Sequence, residues 1–104
     1  MKDWINMDLE VQRKICDYFK TKPIEKAWVF GSFSRGEEKP YSDIDILVSL
    51  SPNSGLGLQF FGMIIDLEER LNRKVDLVVE GDLSPFASKY ADKEKILIFE
   101  KTNQ

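Results

Sequence analysis

Apolar residues of this chain recur with two periods, one typical of helices and one typical of strands. A four-residue spacing predicts a first helix that Asp8 or Asn6 caps and a second helix from about residue 56 to residue 71. Ser84 followed by Pro85 predicts the start of a third helix, which runs to about residue 94. The apolar positions that share one face in the first two helices are Val11, Ile15, Phe19, Phe60, Ile64, Leu67 and Leu71.

Short runs of apolar and β-branched residues lie between these helices and predict four strands. The runs span residues 27–30, 43–50, 74–79 and 96–99. Strands that alternate with helices in this order predict an α/β layer fold, with one sheet of about four strands and helices packed on it. A single domain over residues 1–104 fits the length, because domains typically have about 100–150 residues.

The aromatic residues and the cysteine add expectations about the core. We predict that Trp28 and Phe61 are core residues, whereas Trp4 fits either the core or a partner surface. Cys16 is predicted to be a small buried hydrophobe on the first helix. A single cysteine also excludes an intrachain disulfide. The first residues do not form the apolar stretch of a secretory leader, and no apolar run reaches the roughly 20 residues that span a membrane. We therefore expect a cytoplasmic protein without membrane contact.

Charge and histidine content limit the chemistry. Fifteen basic residues against 18 acidic ones give a net charge of −3, so direct binding to nucleic acid is not expected. The chain contains no histidine, which excludes Ser-His-Asp and Cys-His catalysis and every histidine-ligated zinc site. Any reaction must therefore depend on carboxylates, hydroxyls, amides or cations.

A glycine-serine turn follows the first predicted strand. Gly31 allows a ligand to approach the backbone closely, and a turn from strand to helix points free N–H groups toward a bound phosphate. Ser32 adds a hydroxyl donor, and Arg35 adds a planar cation suited to phosphate oxygens. A plain turn with a solvated arginine is the alternative interpretation.

Two aspartates interrupt the second predicted strand. Asp43 and Asp45 are two residues apart, so strand alternation places both carboxylates on one face, roughly 7 Å apart at the backbone. Aspartate is rare in strands, and two like charges on one face repel unless solvent or a divalent cation lies beside them. A strand whose first residues are simply solvated is the alternative.

A third aspartate, Asp76, lies in the next apolar strand and points away from the apolar face that Val75, Leu77 and Val79 form. If the two strands are neighbours, Asp76 joins the other two carboxylates, and three such groups suit Mg²⁺ or Mn²⁺. An exposed strand aspartate is the alternative. Together with a phosphate-binding turn, three carboxylates meet the needs of two-metal nucleotidyl transfer.

These residues carry a family resemblance. Gly31-Ser32, ten further residues and then Asp43-Ile44-Asp45 resemble the signature of the DNA polymerase β-like nucleotidyltransferase superfamily. Arg35 and Ser42 match its fuller form. The short chain and Asp76 resemble the minimal nucleotidyltransferase (MNT) branch. The resemblance implies a polymerase β-like fold with a small mixed sheet.

The resemblance also implies a function. Relatives of this kind are antitoxins that transfer AMP from ATP to a tyrosine of a HEPN-domain ribonuclease toxin, which makes a hetero-oligomer with that toxin the expected assembly. Carried over by position, Gly31 and Ser32 hold the nucleotide phosphates, with Ser42 in the same binding set, and Arg35 either contacts phosphate or braces the loop. The metal ligands for two Mg²⁺ ions, with Mn²⁺ as an alternative, are Asp43, Asp45 and Asp76, and Asp76 also helps to deprotonate the acceptor.

Two other functions stay open from the sequence. The protein could neutralise its partner by occlusion, with carboxylates that no longer act. Nucleotidyl transfer to a small molecule or to a nucleic-acid end is the other alternative, against which the acidic charge balance counts. Retention of all three aspartates argues against occlusion, because a protein that only covers its partner has no physical need for clustered strand carboxylates.

Overall fold

The computed structural model describes residues 9–31, 43–51, 59–80 and 95–101, and these contain two helices and four strands. The helices are α1 (Leu9–Phe19) and α2 (Gln59–Leu71); the strands are β1 (Ile24–Phe30), β2 (Ile44–Leu50), β3 (Val75–Val79) and β4 (Ile96–Glu100). Every element predicted within these ranges is present. The predicted caps of the first helix, the loop after Gly31 and the helix opened by Ser84 and Pro85 lie outside the described residues.

The four strands form one mixed sheet in the order β3-β2-β1-β4. Strand β1 is antiparallel to both of its neighbours, β2 and β4, whereas β2 and β3 run parallel. The prediction of a small mixed sheet with helices packed on it is confirmed. Because β2 and β3 are parallel neighbours, their first residues lie side by side, at the end of the sheet where β1 finishes.

Both helices pack on one face of the sheet and form the core with it. Helix α2 packs against β3 and helix α1 against β4, while the helices also touch each other. Tyr18 of α1 donates a 2.8 Å hydrogen bond to Asp66 Oδ2 of α2 at this contact. Neither of these helices is long and apolar enough to cross a membrane. The core residues that are fully buried include Ile15, Phe19, Ile24, Ala27, Val29, Ile44, Ile46, Val48 and Leu67.

Strand β1 begins three residues earlier than its apolar run predicts. It starts at Ile24, and its pairing with β2 shifts register between Ile24 and Lys26. A bulge of this kind breaks the two-residue alternation, so the first part of the strand does not show a strand pattern in the sequence. The remaining strands agree with their predicted bounds to within one residue.

Two aromatic residues do not lie where the sequence predicts. Phe61 is 62% exposed, because the apolar face of α2 passes through its neighbour Phe60 instead. Trp28 is only half-buried and lies outside the main core, on the sheet face that the two helices leave uncovered. Cys16 is also half-buried, and its thiol donates a 2.9 Å hydrogen bond to the Ile98 carbonyl. Trp4 is outside the described residues.

Candidate functional site

Two of the predicted carboxylates lie opposite each other on neighbouring strands. Asp45 of β2 and Asp76 of β3 are register partners in the parallel ladder. Register partners of a parallel pair point to the same face. Ile44 and Val75, which precede them, are buried in the core, so both carboxylates point away from it. Asp45 is half-buried and Asp76 is exposed, as expected at the solvated end of a sheet.

Asp43 immediately precedes β2 and is exposed. Its position two residues before Asp45 places it on the same face by strand alternation. The backbone N–H of Ile44 donates a 3.0 Å hydrogen bond to the carbonyl of Lys74, which joins the first residues of β2 and β3. The three aspartates therefore occupy one end and one face of two adjoining strands.

Gly31 lies directly against the Asp45 carboxylate. It follows Phe30, the β1 residue that pairs with Asp45, and its backbone has a φ of +73°. This left-handed conformation strains any residue that carries a side chain. A Cβ atom on Gly31 would lie 3.4 Å from Asp45 Cγ and closer still to Asp45 Oδ2. Glycine is therefore required here both by the backbone conformation and by the space that the carboxylate occupies.

A side chain of α2 holds the start of β3 in place. Glu68 Oε2 accepts a 3.0 Å hydrogen bond from the backbone N–H of Val75, the residue before Asp76. This bond links the helix to the strand beside the carboxylate pair. The position of Asp76 thus depends on contacts from both sides, the ladder with β2 and the anchor from α2.

The donor set suits a divalent cation that prefers oxygen. Carboxylate oxygens are the ligands that Mg²⁺ and Mn²⁺ take, and Asp45 and Asp76 present such oxygens from paired positions of neighbouring strands. No three acidic or cysteine side chains in the described part of the chain lie close enough together to hold a metal ion as they stand. The residues thus fit such an ion in chemistry, and a bound ion would have to draw their side chains together.

The other predicted binding residues, Ser32, Arg35 and Ser42, lie outside the described residues. Their roles stay predictions.

A cation on the same sheet face was not predicted from the sequence. Lys95 Nζ lies 4.6 Å from the centre of the Trp28 ring and 3.9 Å from Glu80 Oε2. Trp28 pairs with Leu47, two residues along β2 from Asp45, so this contact lies beside the carboxylates. Finding it requires the strand pairing, because Trp28 and Lys95 are far apart in the chain.

Comparison with known proteins identifies close relatives of this chain. A family model described as a nucleotidyltransferase domain matches residues 10–99. A protein of Methanocaldococcus jannaschii, provisionally named a protein adenylyltransferase, is 36% identical over 76 residues, which cover 73% of this chain and 81% of that protein. The protein adenylyltransferase MntA of Thermococcus cleftensis is 36% identical over 75 residues, which cover 72% of this chain and 75% of that protein.

Solved structures share the fold. A toxin–antitoxin crystal structure with AMP-PNP superposes with a TM-score of 0.73 at 22% identity, covering 88% of this chain and 74% of that one. A complex of a tri-AMPylated Shewanella oneidensis HEPN toxin with an MNT antitoxin gives a TM-score of 0.69 at 20% identity, with 91% and 74% of the two chains covered. A chain provisionally described as a minimal nucleotidyltransferase is 31% identical, with a TM-score of 0.59 and coverage of 84% and 85%.

Proposed function

The chain belongs to the nucleotidyltransferase domain family and is a nucleotidyltransferase; on that basis we propose that it transfers AMP from ATP to a tyrosine hydroxyl of a HEPN-domain toxin. It acts in this way as the antitoxin of that toxin. The observation that carries the proposal is the pairing of Asp45 with Asp76 beside Gly31. The names of the relatives support AMP as the transferred group and a protein as its acceptor.

The transfer makes one bond and breaks one. The tyrosine oxygen bonds to the α-phosphorus of ATP, the bond from that phosphorus to the pyrophosphate oxygen breaks, and the hydroxyl proton leaves. Bound Mg²⁺ would neutralise phosphate charge and lower the proton affinity of the hydroxyl. Asp43, Asp45 and Asp76 are the residues that would hold it.

The residues of the chain act by binding the nucleotide and orienting the acceptor hydroxyl. Asp76 is exposed on β3, so its carboxylate is accessible to an acceptor hydroxyl, from which it assists removal of the proton. Gly31 allows the phosphates to approach the backbone next to Asp45, with Ser32 and Ser42 as further phosphate ligands. Arg35 contributes positive charge either to the phosphates or to the loop.

The acceptor is supplied by a partner protein. The MNT antitoxin of the Shewanella oneidensis complex is bound to a HEPN toxin that carries AMP groups. An equivalent hetero-oligomer brings a toxin tyrosine to the end of the sheet where the three aspartates lie.

The test is transfer of labelled AMP to a HEPN toxin encoded beside this protein. The purified chain, the toxin and ATP labelled at the α-phosphate are mixed with Mg²⁺, and the intact mass of the toxin is measured. We expect increments of one AMP that EDTA abolishes. Asp45→Asn and Asp76→Asn lose transfer and keep their circular dichroism spectrum, because each replaces a charged ligand with a group of the same shape.

Glu69→Gln is the matched control, since Glu69 is an exposed carboxylate on α2, which packs on the sheet face opposite the paired aspartates. It keeps transfer. Full neutralisation of the toxin by the double variant Asp43→Asn/Asp45→Asn contradicts the proposal and indicates occlusion. An Asp76→Asn variant that unfolds would mean that this residue is structural.

A further inference from the structure

Strand β3 is an edge strand of the sheet, and no described strand pairs with its outer side. The carbonyl of Lys74 and the N–H of Glu80 both bond to β2, at 3.0 Å and 2.7 Å. Alternation along the strand then directs the backbone groups of Val75, Leu77 and Val79 away from β2. Val75 N–H bonds to Glu68, but within the described residues the outward groups of Leu77 and Val79 have no partner. A second strand matches such a row of donors and acceptors.

The sequence of β3 is complementary to itself in one antiparallel register. With Leu77 opposite Leu77 of a second copy, Val75 lies opposite Val79, and Lys74 lies opposite Glu80 at both ends. Lys74 and Glu80 are exposed and of opposite charge, which favours their pairing across the strands in addition to the 3.9 Å contact between Glu80 and Lys95. In this register Leu77 exchanges both of its outward bonds with Leu77 of the second copy, and the N–H of Val79 bonds to the carbonyl of Val75. The N–H of Val75 keeps its bond to Glu68.

The neighbouring registers are unfavourable. A shift by one residue pair in one direction places Asp76 opposite Asp76 of the second copy, and a shift in the other direction places Asp76 opposite Glu80. Like charges directly opposite each other destabilise a strand pair. The other edge strand is β4. If two copies of β4 paired with Ile98 opposite Ile98, Lys95 would lie opposite Lys101, so that edge lacks the same complementarity.

An exposed apolar flank of α2 adjoins the same edge. Glu68 reaches Val75 at the edge of β3, so its flank of the helix lies toward that edge. Ile65 and Phe61, one and two turns earlier on this flank, are 57% and 62% exposed. A two-fold axis through Leu77 would bring the α2 helices of two copies side by side, with these apolar side chains between them.

We propose that two copies of this chain associate through β3 into an antiparallel, two-fold dimer with one continuous sheet. This association extends the sheet in its own plane. It adds no contact on the face that carries Asp45 and Asp76, so the dimer is compatible with the enzymatic function and does not depend on it.

The test is the mass of the full chain in sedimentation velocity over a wide concentration range. We expect a concentration-dependent shift from 12.1 kDa to twice that value. Lys74→Glu and Glu80→Lys each weaken the dimer by about tenfold or more, because each sets like charges opposite each other at both ends. The double variant Lys74→Glu/Glu80→Lys restores it. Glu100→Lys, the same change on β4, has no effect.

A second pair of variants tests the apolar flank. Phe61→Ser weakens the dimer, whereas Leu9→Ser, at a residue of similar exposure on α1, does not. In hydrogen exchange, the amides of Leu77 and Val79 become slower as the concentration rises. A mass of 12.1 kDa at every concentration overturns the proposal, as does a dimer that the single charge reversals leave unchanged or that Glu100→Lys disrupts.

Discussion

Replacing Gly31 by alanine tests how the backbone and the Asp45 carboxylate share the space at this site. The left-handed backbone of Gly31 costs a residue with a side chain about 1–2 kcal/mol. At about 4–8 °C per kcal/mol for a domain of this size, the melting temperature falls by about 4–16 °C. The added methyl group also overlaps Asp45 Oδ2, which can rotate away. We expect Gly31→Ala to lose AMP transfer as well, because that rotation displaces the carboxylate.

Gly62 provides the matched control for this change. It lies within α2, and a Cβ atom there has no other atom within 4 Å. Alanine stabilises a helix by roughly 0.5–1 kcal/mol relative to glycine, so Gly62→Ala raises the free energy of unfolding by that amount. The same substitution should therefore change stability in opposite directions at the two positions.

The assay is urea unfolding, monitored by circular dichroism. It is carried out on Gly31→Ala and Gly62→Ala in the wild-type chain, and on Gly31→Ala in a chain that also carries Asp45→Ala. In that background the overlap is absent, so the remaining cost of Gly31→Ala is that of the backbone alone. The reasoning would be refuted if Gly31→Ala were as stable as the wild type, or if both glycine substitutions changed the free energy of unfolding in the same direction. Normal transfer by Gly31→Ala would refute the role assigned to the carboxylate position.

Three further changes test the helices and the core. Burial and the hydrogen bond to Asp66 raise the pKa of Tyr18 from 10.0 to about 12. Between these pH values the unfolded chain releases a proton that the folded chain keeps, so the free energy of unfolding falls as the pH rises. Tyr18→Phe reduces this fall in urea titrations, and an equal fall in both proteins contradicts the role of Tyr18. Burial raises the pKa of the Cys16 thiol, so its alkylation at pH 8 should be much slower than in urea; equal rates would exclude this protection. Leu67→Ala removes a fully buried side chain and should cost about 2–5 kcal/mol in chemical unfolding, whereas a cost below 1 kcal/mol contradicts close packing there.

Local patterns predicted the elements but not how they meet. The alternation around Asp43 and Asp45 predicted that both lie on one face of a strand. The apolar run around Asp76 predicted that Asp76 lies on the polar face of its own strand. Which strand lies beside β2, and in what register, depends on long-range pairing that no local period encodes. The opposition of Asp45 and Asp76 therefore required the sheet.

The errors have two physical causes. The bulge near Ile24 breaks alternation and conceals the start of β1. Phe61 is as apolar as Phe60, and it was predicted to be a core residue for that reason. It lies about 100° further around the helix, however, and its side chain is therefore exposed. Trp28 shows the same limit for a strand, since only the pairing reveals that its face carries the aspartates rather than the helices.

The position of β1 between β2 and β4 affects the chain while it is being synthesised. Residue 96, where β4 begins, follows the end of β1 at residue 30 by 66 positions. At roughly 5–20 residues per second, a ribosome needs about 3–13 s to make that segment. Throughout this interval one side of β1 has amides and carbonyls that only β4 later satisfies. A nascent chain paused before residue 96 thus presents an unpaired strand edge to other chains.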